Sequence, residues 1–244
     1  MNSPSKWHDL RRFTDARVAL GRAGNALPTA AHLDFQEAHA RARDAVWSCL
    51  DVAKLEEEFS PLSLPIQRVT SQAEERQRFL LRPDLGRRLP EGTVLPKAPG
   101  SIALVIADGL CASGVQQQAP ALLSVLVPAL SKAGFTPSPI IIAEQARVAL
   151  GDDVAEAMEA AAVVVLIGER PGLSATDSMG LYITWAARRG SNDAMRNCIS
   201  NIRPGGLSAD VAAAKALWLL AEARKLGATG VALKDEMPSH YRLT

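Results

Sequence analysis

The residues best equipped for chemistry are acids placed where apolar runs end. Asp108 closes SIALVIAD, Glu144 closes PIIIAE, and Glu169 closes AAVVVLIGE, where it is followed at once by Arg170, Pro171 and Gly172. A carboxylate at such a point can accept hydrogen bonds from a ligand, pair with a cation or act as a general base, and the adjacent guanidinium adds donors. Gly168 and Gly172 would let backbone approach a ligand closely, and Pro171 sets a turn. Taken merely as helix caps or salt-bridge partners, the same acids would need no ligand. Cys198 adds a thiol in the polar stretch ARRGSNDAMRNCISNIRPGGLS, Ala187 to Ser208. A catalytic thiol needs a histidine partner. His8, His32, His39 and His240 are all remote in sequence, so a buried or packing role for Cys198 is the better reading.

The elements that would position these groups follow from the hydrophobic pattern. Ser101–Asp108, Pro139–Glu144, Ala161–Glu169 and Gly230–Asp235 read as strands buried on both faces, because their apolar runs are nearly continuous. Helical patterns alternate with them. Gly114–Lys132 reads as a helix broken or restarted at Pro120 and Pro128, and Asp153–Ala161 as a short one. From Ser208 to Leu226 the pattern puts Val211, Ala214, Trp218 and Ala221 on one face, with Ser208 as N-cap and Gly227 as the stop. The fold class expected is therefore α/β, a doubly wound parallel sheet with ligands bound beyond the carboxyl ends of its strands.

Upstream, Phe35, Ala38, Ala42, Ala45 and Cys49 recur at helical intervals with Thr29 as the expected N-cap, and KLEEEFSPLSLP, Lys54 to Pro65, reads as a loop. Arg82–Gly100 holds four prolines and three glycines, dense enough to stop helix and strand alike, and reads as a linker. The expected division is a helical N-terminal region over 1–95 and an α/β domain over 96–244.

Composition narrows the function classes. Lys and Arg number 27 against 26 Asp and Glu, so no global field favours nucleic acid or an anionic membrane. The apolar runs are too short to cross a bilayer, the first residues lack the apolar core of a signal peptide, and three cysteines close no disulfide framework, so the cytoplasm is expected. No dinucleotide fingerprint, Walker loop or nucleophile elbow occurs, and the spacing of His32 and His39 does not suit a metal site. From residue pattern alone the reading stops at a ligand-binding α/β protein with no named substrate.

Several segments, in order and spacing, carry a resemblance. LRRFTDARVALGRAGNALPTAAHLDFQEAHARARDAV, RPDLGRRL, VIADGL, EQARVALGD, IGERPGL and RNCISNIRPGGL together resemble the small (light) subunit of ethanolamine ammonia-lyase, from about Leu10 to Lys234. The resemblance implies a Rossmann-like domain that covers adenosylcobalamin in a complex with a large barrel subunit, where ethanolamine becomes acetaldehyde and ammonia. It places cofactor contacts at Val148, Glu169 and Cys198, with Glu169 accepting from a corrin amide, the backbone near Val148 and Cys198 approaching the ring, and no catalytic residue on this chain. It also makes residues 1–95 a partner-binding arm. The location it implies is the cytoplasm, with or without a bacterial microcompartment around the complex. The D-x-H-x-x-G signature of base-off cobalamin domains is missing, consistent with the base-on binding the resemblance implies. For Arg170 the expectation is a loop-holding or interface salt bridge. The competing readings are a self-sufficient small-molecule or nucleotide-binding α/β enzyme and a purely structural assembly subunit.

Overall fold

The computed structural model describes residues 6–239, 241 and 243. Six strands form one mixed, mostly parallel sheet: β1 (Ile66–Thr70), β2 (Ile102–Ala107), β3 (Pro137–Glu144), β4 (Ala162–Gly168), β5 (Met179–Trp185) and β6 (Asn197–Ile202). Their spatial order is β1-β3-β2-β4-β5-β6. The first four pair in parallel, whereas β5 and β6 add on antiparallel, which corrects the expectation of a wholly parallel sheet.

Alternation of side chains across the pleat divides the sheet into two packed faces. Leu104, Ile106, Ile140, Ile142, Val164 and Leu166 lie in one core with the helices α2 (Val52–Phe59), α4 (Ala112–Lys132) and α6 (Ala209–Leu226). On the other face Val105, Ile141, Val163 and Val165 pack with α5 (Leu150–Met158) and with Leu89 and Leu95. The proline-rich stretch from Arg82 to Gly100 is therefore packed onto the core through those two leucines. It does not separate two sheets, because β1 precedes it and hydrogen-bonds with β3, which follows it.

Helix α4 runs unbroken through Pro120 and Pro128, against the expected interruption. Each internal proline costs about 3 kcal/mol in lost hydrogen bonding and ring clash. Val115, Ala119, Leu122, Leu123, Leu126 and Leu130 are each wholly buried on this helix. Burial of one such leucine returns about 1.5–3 kcal/mol, so the summed tertiary packing outweighs both prolines. Helix α6 starts and stops as its sequence predicts, with the Ser208 hydroxyl accepting from Val211 N–H and Gly227 at φ 72°. Its buried face differs from the one expected. Ala212, Ala213, Ala216, Leu217, Leu220 and Ala223 are buried while Val211 is exposed, because the helix lies against α4 as well as the sheet.

Other expectations fall. Gly230–Ala232 forms a single 3-10 turn, not a strand. Lys54–Pro65 is no simple loop, since α2 extends to Phe59 and buries Leu55 and Phe59. The polar stretch Ala187–Ser208 contains β6, an edge strand. At the N-terminal end α1 (Thr29–Val46) is a helix that buries only Ala38, with Pro28 rather than Thr29 at its N-cap.

Pro128 is exposed, so its removal should leave packing intact. Pro128→Ala is expected to raise unfolding free energy by about 1–3 kcal/mol in chemical denaturation, by restoring a backbone donor and relieving the clash. A lower midpoint with an unchanged m-value would contradict the assignment of strain there.

Candidate functional site

The strands of the sheet change direction of succession between β2 and β4, since α4 leaves β2 on one face and α5 enters β4 from the other. Loops diverge at such a point and open a crevice. A cavity of about 610 Å³ lies there, lined among others by Gly109 and Leu110 after β2, Val148 after β3, and Gly168 and Glu169 after β4.

Its floor is made by two glycines. A Cβ on Gly168 would stand 1.9 Å from the Cys111 carbonyl oxygen, and one on Gly109 would stand 2.2 Å from the Gly168 oxygen. Such distances are impossible for any side chain, so the loops after β2 and β4 cross in backbone contact. Gly168 thus serves a close approach within the chain, rather than the approach of a ligand expected from its sequence. Gly172 closes a turn, donating its N–H to the Ala175 carbonyl at 2.7 Å.

The three strand-end acids have three different fates. Asp108 is 2% exposed and accepts from Gln145 N–H at 2.8 Å and Ala146 N–H at 2.9 Å, with Arg76 Nη1 at 3.5 Å. Arg76 also donates to the Val46 and Gly109 carbonyls, at 2.7 and 2.8 Å. Asp108 is therefore an internal latch between the ends of β2 and β3, and burial pushes its pKa up from an ordinary 3.8 to about 6 despite those donors. Glu144 is not among the residues that line the cavity. Glu169 lines it, but its carboxylate is largely occupied: Ser178 Oγ donates at 2.5 Å, Ser200 Oγ at 2.7 Å, and Asn201 N–H at 3.3 Å to both oxygens. These bonds tie the end of β4 to β5 and β6.

Cys198 sits on β6 directly opposite Tyr182 of β5, and both line the cavity. Contrary to the buried role expected for it, Cys198 is exposed. Even so, the surrounding protein raises its thiol pKa, chiefly by desolvation, and burial likewise raises the Tyr182 phenol, so both stay neutral near pH 7. Neither His32 nor His39 lines the cavity, and His240 lies outside the described residues. Deeper in the wall, Arg196 is 3% exposed in its side chain and makes a two-pronged ion pair with Asp152 at 2.6 and 2.7 Å, supported by Thr184 at 3.1 Å.

Val148, Glu169 and Cys198, distant in sequence, thus share one cavity. The sequence pattern of the family described as "Ethanolamine ammonia-lyase light chain (EutC)" matches residues 4–234. Proteins named "Ethanolamine ammonia-lyase small subunit" from Azotobacter vinelandii and Bradyrhizobium diazoefficiens are each 49% identical to the chain, over 94% and 93% of it and 88% and 90% of their own lengths. One from Rhodopseudomonas palustris is also 49% identical, over 93% of the chain and 89% of its own length. The chain belongs to the ethanolamine ammonia-lyase light chain family, and it is a subunit of an ammonia-lyase.

Arg87, Arg147, Tyr182, Arg196 and Ser200 line the same cavity although none is a candidate from residue pattern alone. Arg147 was readable, since it adjoins Val148 in a loop already singled out. Tyr182 and Ser200 were not, because they enter the wall only through the antiparallel pairing of β5 and β6. Arg170 reaches the cavity yet makes no ion pair among the described residues, so it holds no loop by a salt bridge.

The raised pKa of Asp108 carries a sign. Protonation in the folded state contributes stability that is fully present below about pH 3.8 and is lost as pH rises through about 6. The unfolding free energy of the wild type minus that of Asp108→Asn should therefore fall across this interval, approaching about 1.4 kcal/mol per pH unit at its steepest. A difference independent of pH would show that Asp108 titrates normally.

Proposed function

We propose that this chain forms one wall of an adenosylcobalamin site, completed by a large subunit, in an enzyme that converts ethanolamine to acetaldehyde and ammonia. The observation that carries the reading is the convergence of Val148, Glu169 and Cys198, from three separate segments, on one open cavity at the reversal of strand order. Other features fit a large ring-shaped ligand with an apolar face and amide-bearing edges. Leu110, Val148 and Ile167 offer apolar contact, Arg147 Nε is buried without a hydrogen-bond partner, and the cavity opens to the outside on a chain that is half of a complex. The same reversal of strand order supports the Rossmann-like description.

Bound adenosylcobalamin supplies the radical chemistry of the rearrangement. The chain's own residues bind, orient and shield. Glu169 keeps β4, β5 and β6 together and has a lone pair left to accept one amide N–H at the ring edge. Neutral Cys198 and Tyr182 present unionised surface to the ligand, and Val148 brings the loop after β3 against it. No residue here is assigned a proton transfer. The partner is proposed to meet residues 1–95 as an arm, where α1 exposes Leu33 and Phe35 and the Trp47 that caps its end is exposed as well. Residues 96–244 carry most of the cofactor wall. No helix among the described residues is long and apolar enough to cross a membrane, which accords with a complex in the cytoplasm, free or inside a microcompartment.

Co-expression with a large barrel partner, followed by addition of adenosylcobalamin and ethanolamine, should give acetaldehyde only when both chains are present. Acetaldehyde from this chain alone would instead establish the self-sufficient enzyme. In the complex, Glu169→Ala is expected to weaken adenosylcobalamin binding by about 1–3 kcal/mol, since it removes an acceptor and leaves Ser178 and Ser200 unpaired. Unchanged affinity would remove Glu169 from the site.

A further inference from the structure

Three guanidinium groups face the cavity without an anion. Arg87 comes from the turn Leu85–Arg87, Arg147 from the loop after β3, and Arg170 from the loop after β4. None of the three side chains makes an ion pair or donates a hydrogen bond among the described residues. The fourth arginine of the same wall behaves differently, since Arg196 is paired with Asp152; outside the wall, Arg88 and Arg189 are paired with Asp153.

The two carboxylates that line the cavity, and Asp108 behind Arg147, are already engaged. Asp108 is held by Arg76 and two amides, Glu169 by two serines and an amide, and Asp193 by Arg196. Arg147 lies with its guanidinium 4.2 Å from the centroid of the Phe79 ring, which also carries Arg76 at 4.8 Å, and its Nε is buried with no partner. Burial first, and then the charges of Arg76, Arg87 and Arg170, lower the pKa of Arg147, with Asp108 offsetting them only in part. Like charges gathered from three loops cost stability unless an anion from outside the chain joins them. Planar forks of this kind suit a phosphate oxyanion, which accepts several charge-assisted hydrogen bonds at once.

We propose that Arg87, Arg147 and Arg170 form an anion subsite on the cavity rim that takes the phosphodiester in the nucleotide tail of the bound corrinoid. This assignment rests on the cobalamin reading above. It adds a second anchor beyond the amide edges of the ring: the amides are neutral, and the phosphodiester is the one anionic group of the tail.

The test compares two ligands on the complex with the large subunit, using equilibrium dialysis rather than turnover. Adenosylcobalamin carries the tail phosphodiester; adenosylcobinamide lacks it. Arg87 and Arg170 are exposed and unpaired, so Arg87→Gln and Arg170→Gln should fold normally, and Arg147→Lys keeps charge where Arg147→Gln removes it. Each Gln variant should weaken adenosylcobalamin about tenfold or more, a loss typical of one charge-assisted hydrogen bond, while adenosylcobinamide stays within about twofold. Arg147→Lys should recover part of the loss. Equal loss for both ligands, or none for either, overturns the proposal. Saturable binding of inorganic phosphate that the variants abolish, with both corrinoid affinities unchanged, would make free phosphate the ligand and also overturn it. So would unchanged corrinoid affinity with weakened capture of the large subunit, which would assign the arginines to partner carboxylates. Failure of the wild-type complex to bind adenosylcobalamin at all would refute the underlying reading instead, and is distinguishable on that ground.

Discussion

The cavity depends on one buried carboxylate. Asp108 ends β2 and reaches across to the backbone N–H groups of Gln145 and Ala146, the first residues beyond β3. Those two amides would otherwise lie buried without partners, at a cost of about 1–3 kcal/mol each. Arg76 closes the arrangement, giving the carboxylate a counter-charge and binding the carbonyls of Val46 and Gly109. One acid and one guanidinium thus hold the end of α1, the start of α3 (Arg76–Leu81) and the loops after β2 and β3 in a single frame. Arg147 and Val148 follow directly on the amides that Asp108 holds, so their placement in the wall is a consequence of that latch.

A second frame meets the first at the crossing of Gly109 and Gly168. Backbone contact there leaves no room for any Cβ, and it fixes how far the loop carrying Glu169 and Arg170 stands from the loop carrying Leu110. Glu169 then binds outward to Ser178 and Ser200, which brings Tyr182 and Cys198 of the antiparallel pair into the wall. The glycine-rich strand end is better understood as an assembly device than as a ligand cradle. What this strand end presents to the cavity is Arg170 and the acceptor capacity of Glu169 that the serines leave over. Paired and unpaired arginines divide accordingly. Arg76 and Arg196, which hold the frame of the cavity, have carboxylates, and among the described residues Arg87, Arg147 and Arg170 have none.

Legibility followed burial for the central parallel strands but not for β5, which is buried at five of its seven positions and is not among the strands expected from sequence. The runs Ile102–Ala107 and Ala162–Gly168 are buried at every position, and their continuous apolar sequence made them strands at sight. β1 and β6 were invisible because both are edge strands with few buried side chains, so IQRVT and NCISNI carry polar residues that mimic loops. The prolines of α4 misled for the opposite reason. Local preference argued for a break, and seven wholly buried side chains on the same helix argued harder. Among the site residues, Glu169 stood out as a strand-end acid and Cys198 as a thiol in a polar stretch, resemblance alone pointed to Val148 and to a shared cofactor, and Arg147 was readable from its place in a strand-end loop.

By itself the sequence determined the class of fold, the buried central strands, the caps of α6 and the family, because each is written in local periodicity or in motifs whose order survives along the chain. Only the tertiary structure decided which acid would be a latch and which would face the cavity. Asp108 and Glu169 occupy equivalent places at strand ends, and Arg170, Pro171 and Gly172 mark the second loop without showing which acid the chain itself will bind. The difference arises from what the rest of the chain brings near: two backbone amides and Arg76 to one, two hydroxyls of an antiparallel extension to the other. Hydrogen-bond partners distant in sequence are chosen by packing, and packing is a property of the whole sheet.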